Sequence, residues 1–220
     1  RYYRTRVVEV GRWRTHSIQG GQGRVTHLFA VPIRHVDVSH KAISWTEVPA
    51  GRLEETARRT RILLDHGFTS AYSAGALSKT LEISLNAHLK DGGMPGPRLI
   101  PSSVEREPPN DSELDPGHVE LHARGPEGVK EFVKECADIG AKAIKFLISG
   151  ESALKPGASL ELLYTEEELL AAGEQARESD VWLTGHAHAC DAVKFGIKAG
   201  FRILYHCTYA DDEAIDMLVA

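Results

Sequence analysis

From about residue 24 onward the chain repeats one pattern six times: a short apolar run, then a longer segment with helical periodicity. No other feature constrains its fold as tightly. A strand that reaches its neighbour through a helix needs a crossover, and crossovers join parallel strands. Strands are predicted over 25–31, 68–72, 97–101, 141–148, 181–188 and 201–206, with helices over 52–66, 77–89, 126–140, 165–178, 190–199 and 211–220. Local signals support the helices. Leu53, Ala57, Ile62 and Leu63 form an apolar stripe, Gly67 and Gly200 stand at C-cap positions, and Pro126 suits a first turn. Thr165 with Glu168 reads as a capping box. The polar, proline-bearing segment 102–124 is predicted to be a long functional or mobile connection. This α/β pattern fits both an open doubly wound sheet and a (β/α)8 barrel. The two are told apart by where reactive residues lie, because a barrel gathers them at the C-terminal ends of many strands.

Charge narrows the class. The net charge is −5, which excludes nucleic acid as the main partner. Residues 1–62 carry 12 basic and 5 acidic side chains (+7), leaving 14 basic and 26 acidic beyond them (−12). Six arginines fall within the first 24 residues. Residues 1–23 are read as a leader or incomplete small domain, and 24–220 as the main domain. No apolar run approaches the ~18–20 residues that span a bilayer, and no secretory signal opens the chain, so no membrane role is expected. Cys136, Cys190 and Cys207 are too few for a disulfide framework, which suits a cytoplasmic location. The chain does not begin with methionine and is expected to be partial.

Chemistry concentrates on three successive strands. Lys145 interrupts an apolar run, His186 and His188 end the next strand, and His206 closes the one after. An ammonium buried among aliphatic side chains is costly, so Lys145 needs a carboxylate partner, a shifted pKa or chemical modification, unless it points to a solvated rim. His186 and His188 are two apart and would share a face of a strand. Taken singly, each histidine could be an ordinary polar or core residue. Together they suggest imidazole ligands for zinc or a similar divalent ion. Cys190 and Cys207 fall off the metal-facing positions and are read as structural. His16, His35, His40, His66, His88, His118 and His122 are read as solvated, with His118 and His122 nearest the mouth.

Four segments carry a family resemblance: 67–70 (GFTS), 140–150 (GAKAIKFLISG), 184–188 (TGHAH) and 204–212 (LYHCTYADD). With the spacing of Lys145, His186 and His206, they resemble the metal-dependent amidohydrolase superfamily, in particular its ochratoxin amidase, imidazolonepropionase-like and prolidase-like branch. The resemblance implies a (β/α)8 barrel, of which this chain would cover about the first six units. It implies two divalent metals, zinc by preference with cobalt, manganese or iron able to share the ligands. Lys145 would bridge them as a carbamate formed with CO2, and His27, His186 and His206 would be ligands. His188 would stand beside the metals to hold the substrate carbonyl or an oxyanion. The implied activity is hydrolysis of a C–N bond in a small-molecule amide, carbamate, urea or cyclic amide by a metal-activated water.

Two departures from the pattern stand out. The first strand should end in His-x-His, yet Val25 precedes His27, and an isopropyl group cannot ligate. The aspartate of an eighth strand should accept the water's proton, and the chain ends after the sixth unit. The alternative expectation is therefore a truncated, catalytically incomplete barrel fragment that at most binds metal, stabilised as a homo-oligomer that covers its open edges. A doubly wound binding protein is disfavoured, because the cluster Gly20, Gly21 and Gly23 precedes a strand instead of following one.

Overall fold

The computed structural model describes residues 28–31, 50–76, 79–105, 125–152 and 156–220. Six strands alternate with six helices: β1 (Leu28–Val31), α1 (Ala50–Asp65), β2 (Ser70–Ser73), α2 (Leu81–Lys90), β3 (Arg98–Ile100), α3 (Gly125–Asp138), β4 (Ala143–Leu147), α4 (Glu166–Glu178), β5 (Trp182–Ala187), α5 (Cys190–Ala199), β6 (Ile203–His206) and α6 (Asp212–Val219). The elements read from periodicity are all here, most of them trimmed at their ends. A 3₁₀ turn at Ala158–Leu160 adds a feature that periodicity does not reveal. No described helix is long and apolar enough to cross a membrane. The leader, His27 and Val25 lie outside the described residues, as do His16, His35, His40, His118 and His122.

Every strand pair is parallel, and the order is sequential: β1-β2-β3 and β4-β5-β6. The two triplets join where Pro101 O accepts from Lys142 N at 2.8 Å and Ala143 N at 3.1 Å, beside a parallel bridge from Ser102 to Ala143. A doubly wound sheet reverses its strand order to make a switch point. No such reversal exists among the described strands. The sheet also curls. Tyr72 on β2 and Tyr205 on β6 lie next to one another, although they are four strands apart. In a flat sheet, four spacings of ~4.8 Å would hold them roughly 19 Å apart.

Alternation along the strands sorts the side chains into two layers. Ile144, Phe146 and Ile148 face the helices and pack with Val129, Phe132 and Val133 of α3 and Leu169 and Ala172 of α4. Phe146 meets Phe132, Tyr164 and Phe201 edge-on, with ring centroids 5.5–5.8 Å apart. Each such burial contributes about 2–3 kcal/mol. The capping box forms as expected: Thr165 Oγ1 accepts from Glu168 N, and Glu168 Oε2 accepts from Thr165 N. Glu168 Oε1 also accepts from Gly125 N at 2.8 Å, tying the start of α4 to the start of α3.

The segment expected to begin as a polar loop at 102 corrects the sequence reading. Ser102, Ser103, Val104 and Glu105 are all buried and extend β3, with Val104 bridging to Ala76. Glu82, in the first turn of α2, supports this extension. It is 1% exposed, and its Oε2 accepts from Ser102 N at 3.0 Å. Its Oε1 and the neighbouring Ser73 hydroxyl are both buried without a well-aligned partner. Burial pushes the Glu82 carboxyl up to about 7, against the nearby Ser73 hydroxyl and the Ser102 N–H that pull it down.

The folded chain therefore keeps this proton up to about pH 7, whereas the unfolded chain releases it near 4.5. Stability contributed by Glu82 is full below pH 4.5 and declines until pH 7, by about 3 kcal/mol in all. Glu82→Gln should remove that slope and raise stability at pH 8 by roughly 1–3 kcal/mol. Urea unfolding at pH 5 and pH 8 checks this; an equal effect of the substitution at both values would contradict it.

Candidate functional site

The C-terminal ends of β4, β5 and β6 converge. Register pairs Leu147 with His186, and His186 with Tyr205. Lys145, Thr184, His186 and Tyr205 accordingly share the face away from the helices, where Tyr72 also lies. His188 follows β5 by one residue and stays beside His186, with ring centroids 4.6 Å apart. The nitrogens of His186, His188 and His206 all lie within 4.8 Å of one another, the single grouping of this kind found among the described residues.

His206 reaches the cluster by breaking the pleat. Alternation after Tyr205 would turn its ring toward the helices. Instead His206 (φ 71) and Cys207 (φ 49) both adopt the left-handed region. Such residues cost of order 1–3 kcal/mol each and are held only by their surroundings. Here the turn is pinned by Cys207 N donating to Ala187 O at 3.0 Å and Tyr209 N donating to His188 O at 3.1 Å. The ring ends 4.6 Å from His186 and stacked on His188 at 4.5 Å.

The partners of the three rings fix their orientation. His188 Nδ1 bonds Thr208 Oγ1 at 2.7 Å, and its backbone N donates to Ser149 Oγ at 2.8 Å. That leaves His188 Nε2 facing Glu151 Oε2 at 3.7 Å. His186 Nε2 lies 3.2 Å from Gly150 O and 3.6 Å from the same Glu151 oxygen. Burial first, then the nearby positive charge of Lys145, lowers His186 to about 4. His206 is lowered for the same leading reason, followed by His188 and Lys145. Both rings are therefore neutral at pH 7, the state in which imidazole donates a lone pair to a metal.

Lys145 is buried, and its Nζ donates to Glu105 Oε1 at 2.6 Å. It also lies 5.0 Å over the ring of Tyr205. Burial drives the Tyr205 hydroxyl far above its usual range, so it stays protonated. Cys207 is outside the cluster, and burial pushes its thiol up. His66 and His88 are exposed and bond the carbonyls of Ile62 and Ser84 four residues back, away from this face.

Two residues of the site escape sequence reasoning. Glu151 stands directly after the β4 unit, and an acid at a strand's C-terminal end was a usable signal. Glu105 was signalled indirectly, since a lysine buried in a strand demands an anion.

No protein-family model matches the chain. Among curated proteins it is 30% identical over 96 residues to ochratoxinase of Aspergillus niger, covering 44% of this chain and 20% of that one. The crystal structure of A. niger ochratoxinase superposes with a TM-score of 0.67 at 25% identity, covering 78% of this chain and 44% of that one. A Xaa-Pro dipeptidase with methionine bound in its active site gives a TM-score of 0.67 at 22% identity, covering 83% and 47%. The chain spans a fifth of the curated relative's length and less than half of these two structures.

Gly150 holds the floor of the cluster. Its N donates to Glu161 O at 3.0 Å, and a Cβ there would overlap the backbone of Ala158. Gly150→Ala should displace the carbonyl that orients His186 and lower stability by about 1–3 kcal/mol. Thermal unfolding together with the His186 ring signals in NMR reads both effects, and an unmoved His186 would contradict the assignment.

Proposed function

We propose that this chain, a relative of the amidohydrolase superfamily over part of its length, belongs to a metal-dependent hydrolase of C–N bonds in amides, carbamates, ureas or cyclic amides. The observation that carries the reading is the meeting of His186, His188 and His206 at two consecutive strand ends, their nitrogens within 4.8 Å of one another. The ochratoxinase and dipeptidase relatives support the reaction class. The finer architecture belongs to the same proposal: the sequential parallel order and the Tyr72–Tyr205 meeting support a closed (β/α)8 barrel, with this chain as about its first six units.

The donor set fits a divalent ion. Three imidazoles with a position left open match a catalytic zinc site, and cobalt, manganese or iron suit the same nitrogens. The resemblance would reserve His188 for the substrate carbonyl. Its Nε2 and that of His186 face the same oxygen of Glu151, which favours His188 as a third ligand. His27 would complete a second site only if the first strand carries it to this face. The carbamate implied at Lys145 fits poorly, because that amine already pairs with Glu105.

When bound, the cation supplies Lewis acidity for water activation and carbonyl polarisation. The chain's own groups do the rest. Glu151 is partly exposed and its carboxylate is placed to take up the water's proton. Thr208 holds the His188 ring in one orientation. Tyr72 and Thr184 are buried on the same face of the sheet and give it a closed-off wall.

In the protein that carries this segment, hydrolysis of a panel of N-acyl amino acids and Xaa-Pro dipeptides should vanish with a chelator and return with zinc or cobalt. His186→Ala should lower kcat/KM by at least about 100-fold. Turnover indifferent to the chelator and to His186 would refute the reading.

A further inference from the structure

We propose that Leu162 is a specificity-determining residue: it flanks the histidine cluster with an apolar surface and selects substrates that carry an apolar group next to the scissile C–N bond. The inference rests on the reading of the cluster as the centre of a C–N hydrolase and deepens it by naming the substrate class.

After β4 the chain turns back on itself. Gly150 N donates to Glu161 O and Leu163 N donates to Ile148 O, both at 3.0 Å, on either side of an antiparallel bridge from Ser149 to Leu162. Ser149 and Leu162 therefore form a non-hydrogen-bonded pair, the kind in which Cα atoms stand ~4.5 Å apart and both side chains lie on one face. Their neighbours settle which face. Ile148 and Leu163 both pack into the hydrophobic core shared with α3 and α4, so Ser149 and Leu162 turn the other way, onto the face of His186. Ser149 Oγ accepts from His188 N at 2.8 Å. Leu162 thus stands one side chain away from the backbone of a cluster histidine.

The loop that carries this leucine is held at both ends. Beyond the bridge its arms are tied again, where Ser152 Oγ and Ser159 Oγ lie 2.6 Å apart and the backbone N of each serine donates to the other's hydroxyl. The same loop presents Gly150 O to His186, and the Glu151 carboxylate to His186 and His188. Beside these polar groups Leu162 remains 42% exposed. Its position is fixed, and part of its apolar surface faces water. A substrate group that covers it removes apolar area from water, and the loop needs no further ordering to receive it. A hydrogen atom in the same place, as in a glycine derivative, gains nothing from the contact. The side chain therefore discriminates between substrates, whereas the histidines and Glu151 act on the bond common to all of them.

The test compares three compounds on the protein that carries this chain. N-acetylphenylalanine against N-acetylglycine varies the amine side of the bond, and N-benzoylglycine against N-acetylglycine varies the acyl side. The unsubstituted protein should prefer the apolar member of at least one pair by about tenfold or more in kcat/KM. Leu162→Ala should abolish that preference while changing turnover of N-acetylglycine by less than about twofold, and Leu162→Met should retain it. Leu170→Ala on α4, where the leucine is 43% exposed, should change neither. In NMR of the chelator-treated protein, the 13C-methyl signals of Leu162, assigned by their loss in Leu162→Ala, should shift with N-benzoylphenylalanine and stay in place with N-acetylglycine. No preference in the unsubstituted protein, an equal preference in Leu162→Ala, or unmoved Leu162 signals would overturn this inference and leave the hydrolase reading intact. Hydrolysis that persists with a chelator and in His186→Ala would strike the hydrolase reading itself. The NMR titration decides the matter if none of the three compounds is hydrolysed.

Discussion

A charged amine set in an apolar parallel strand is the constraint around which this structure is arranged. Lys145 sits on β4 with Ile144 and Phe146 as neighbours in sequence, both fully buried. Its ammonium cannot remain there without an anion, and Glu105 supplies one from the neighbouring strand's extension. Meeting that demand keeps residues 101–105 extended and buried. This in turn provides the backbone that joins β3 to β4 through Pro101 and Ser102. One ion pair thus links the two strand triplets and sets the electrostatics of the face on which the histidines gather.

That face explains why the His186 and His206 imidazoles remain neutral so close together. Burial disfavours their charged forms, and the positive charge on Lys145 adds to the effect at His186 and His206. The arrangement favours lone-pair donation over ion pairing, even with Glu151 nearby. The left-handed backbone at His206 and Cys207 is strain spent at the same place. Strained backbone beside a cluster of potential ligands is what a site selected for chemistry would show, whereas a site selected for stability alone would relax it.

Much of this was legible beforehand. Periodicity located the six strands and six helices because each element buries one face, and burial leaves its period in the residue order. Thr165 and Glu168 declared the start of α4 because a helix terminus has orphan donors that few side chains can satisfy. Lys145 stands out as a charge inside an apolar strand, and His186, His188 and His206 as histidines at strand ends. The partners were harder to see. Glu105 lay within a stretch that reads as a polar loop, and its burial depends on Lys145, 40 positions away. Glu151 is one acid among 31 acidic residues, and its place beside two imidazoles comes from the turn after β4.

The sequence by itself determined the alternation of elements, the parallel sense of the strands, and the positions of the reactive side chains along them. These follow from local propensity and from the one-dimensional pattern of burial. Only the tertiary structure decided that β2 and β6 curl until Tyr72 meets Tyr205, that Lys145 is committed to Glu105, and that His206 swings back onto His188. Each of those outcomes is a contact between residues far apart in the chain. In the case of His206 it required the backbone to abandon the alternation from which the rest of the strand could be read.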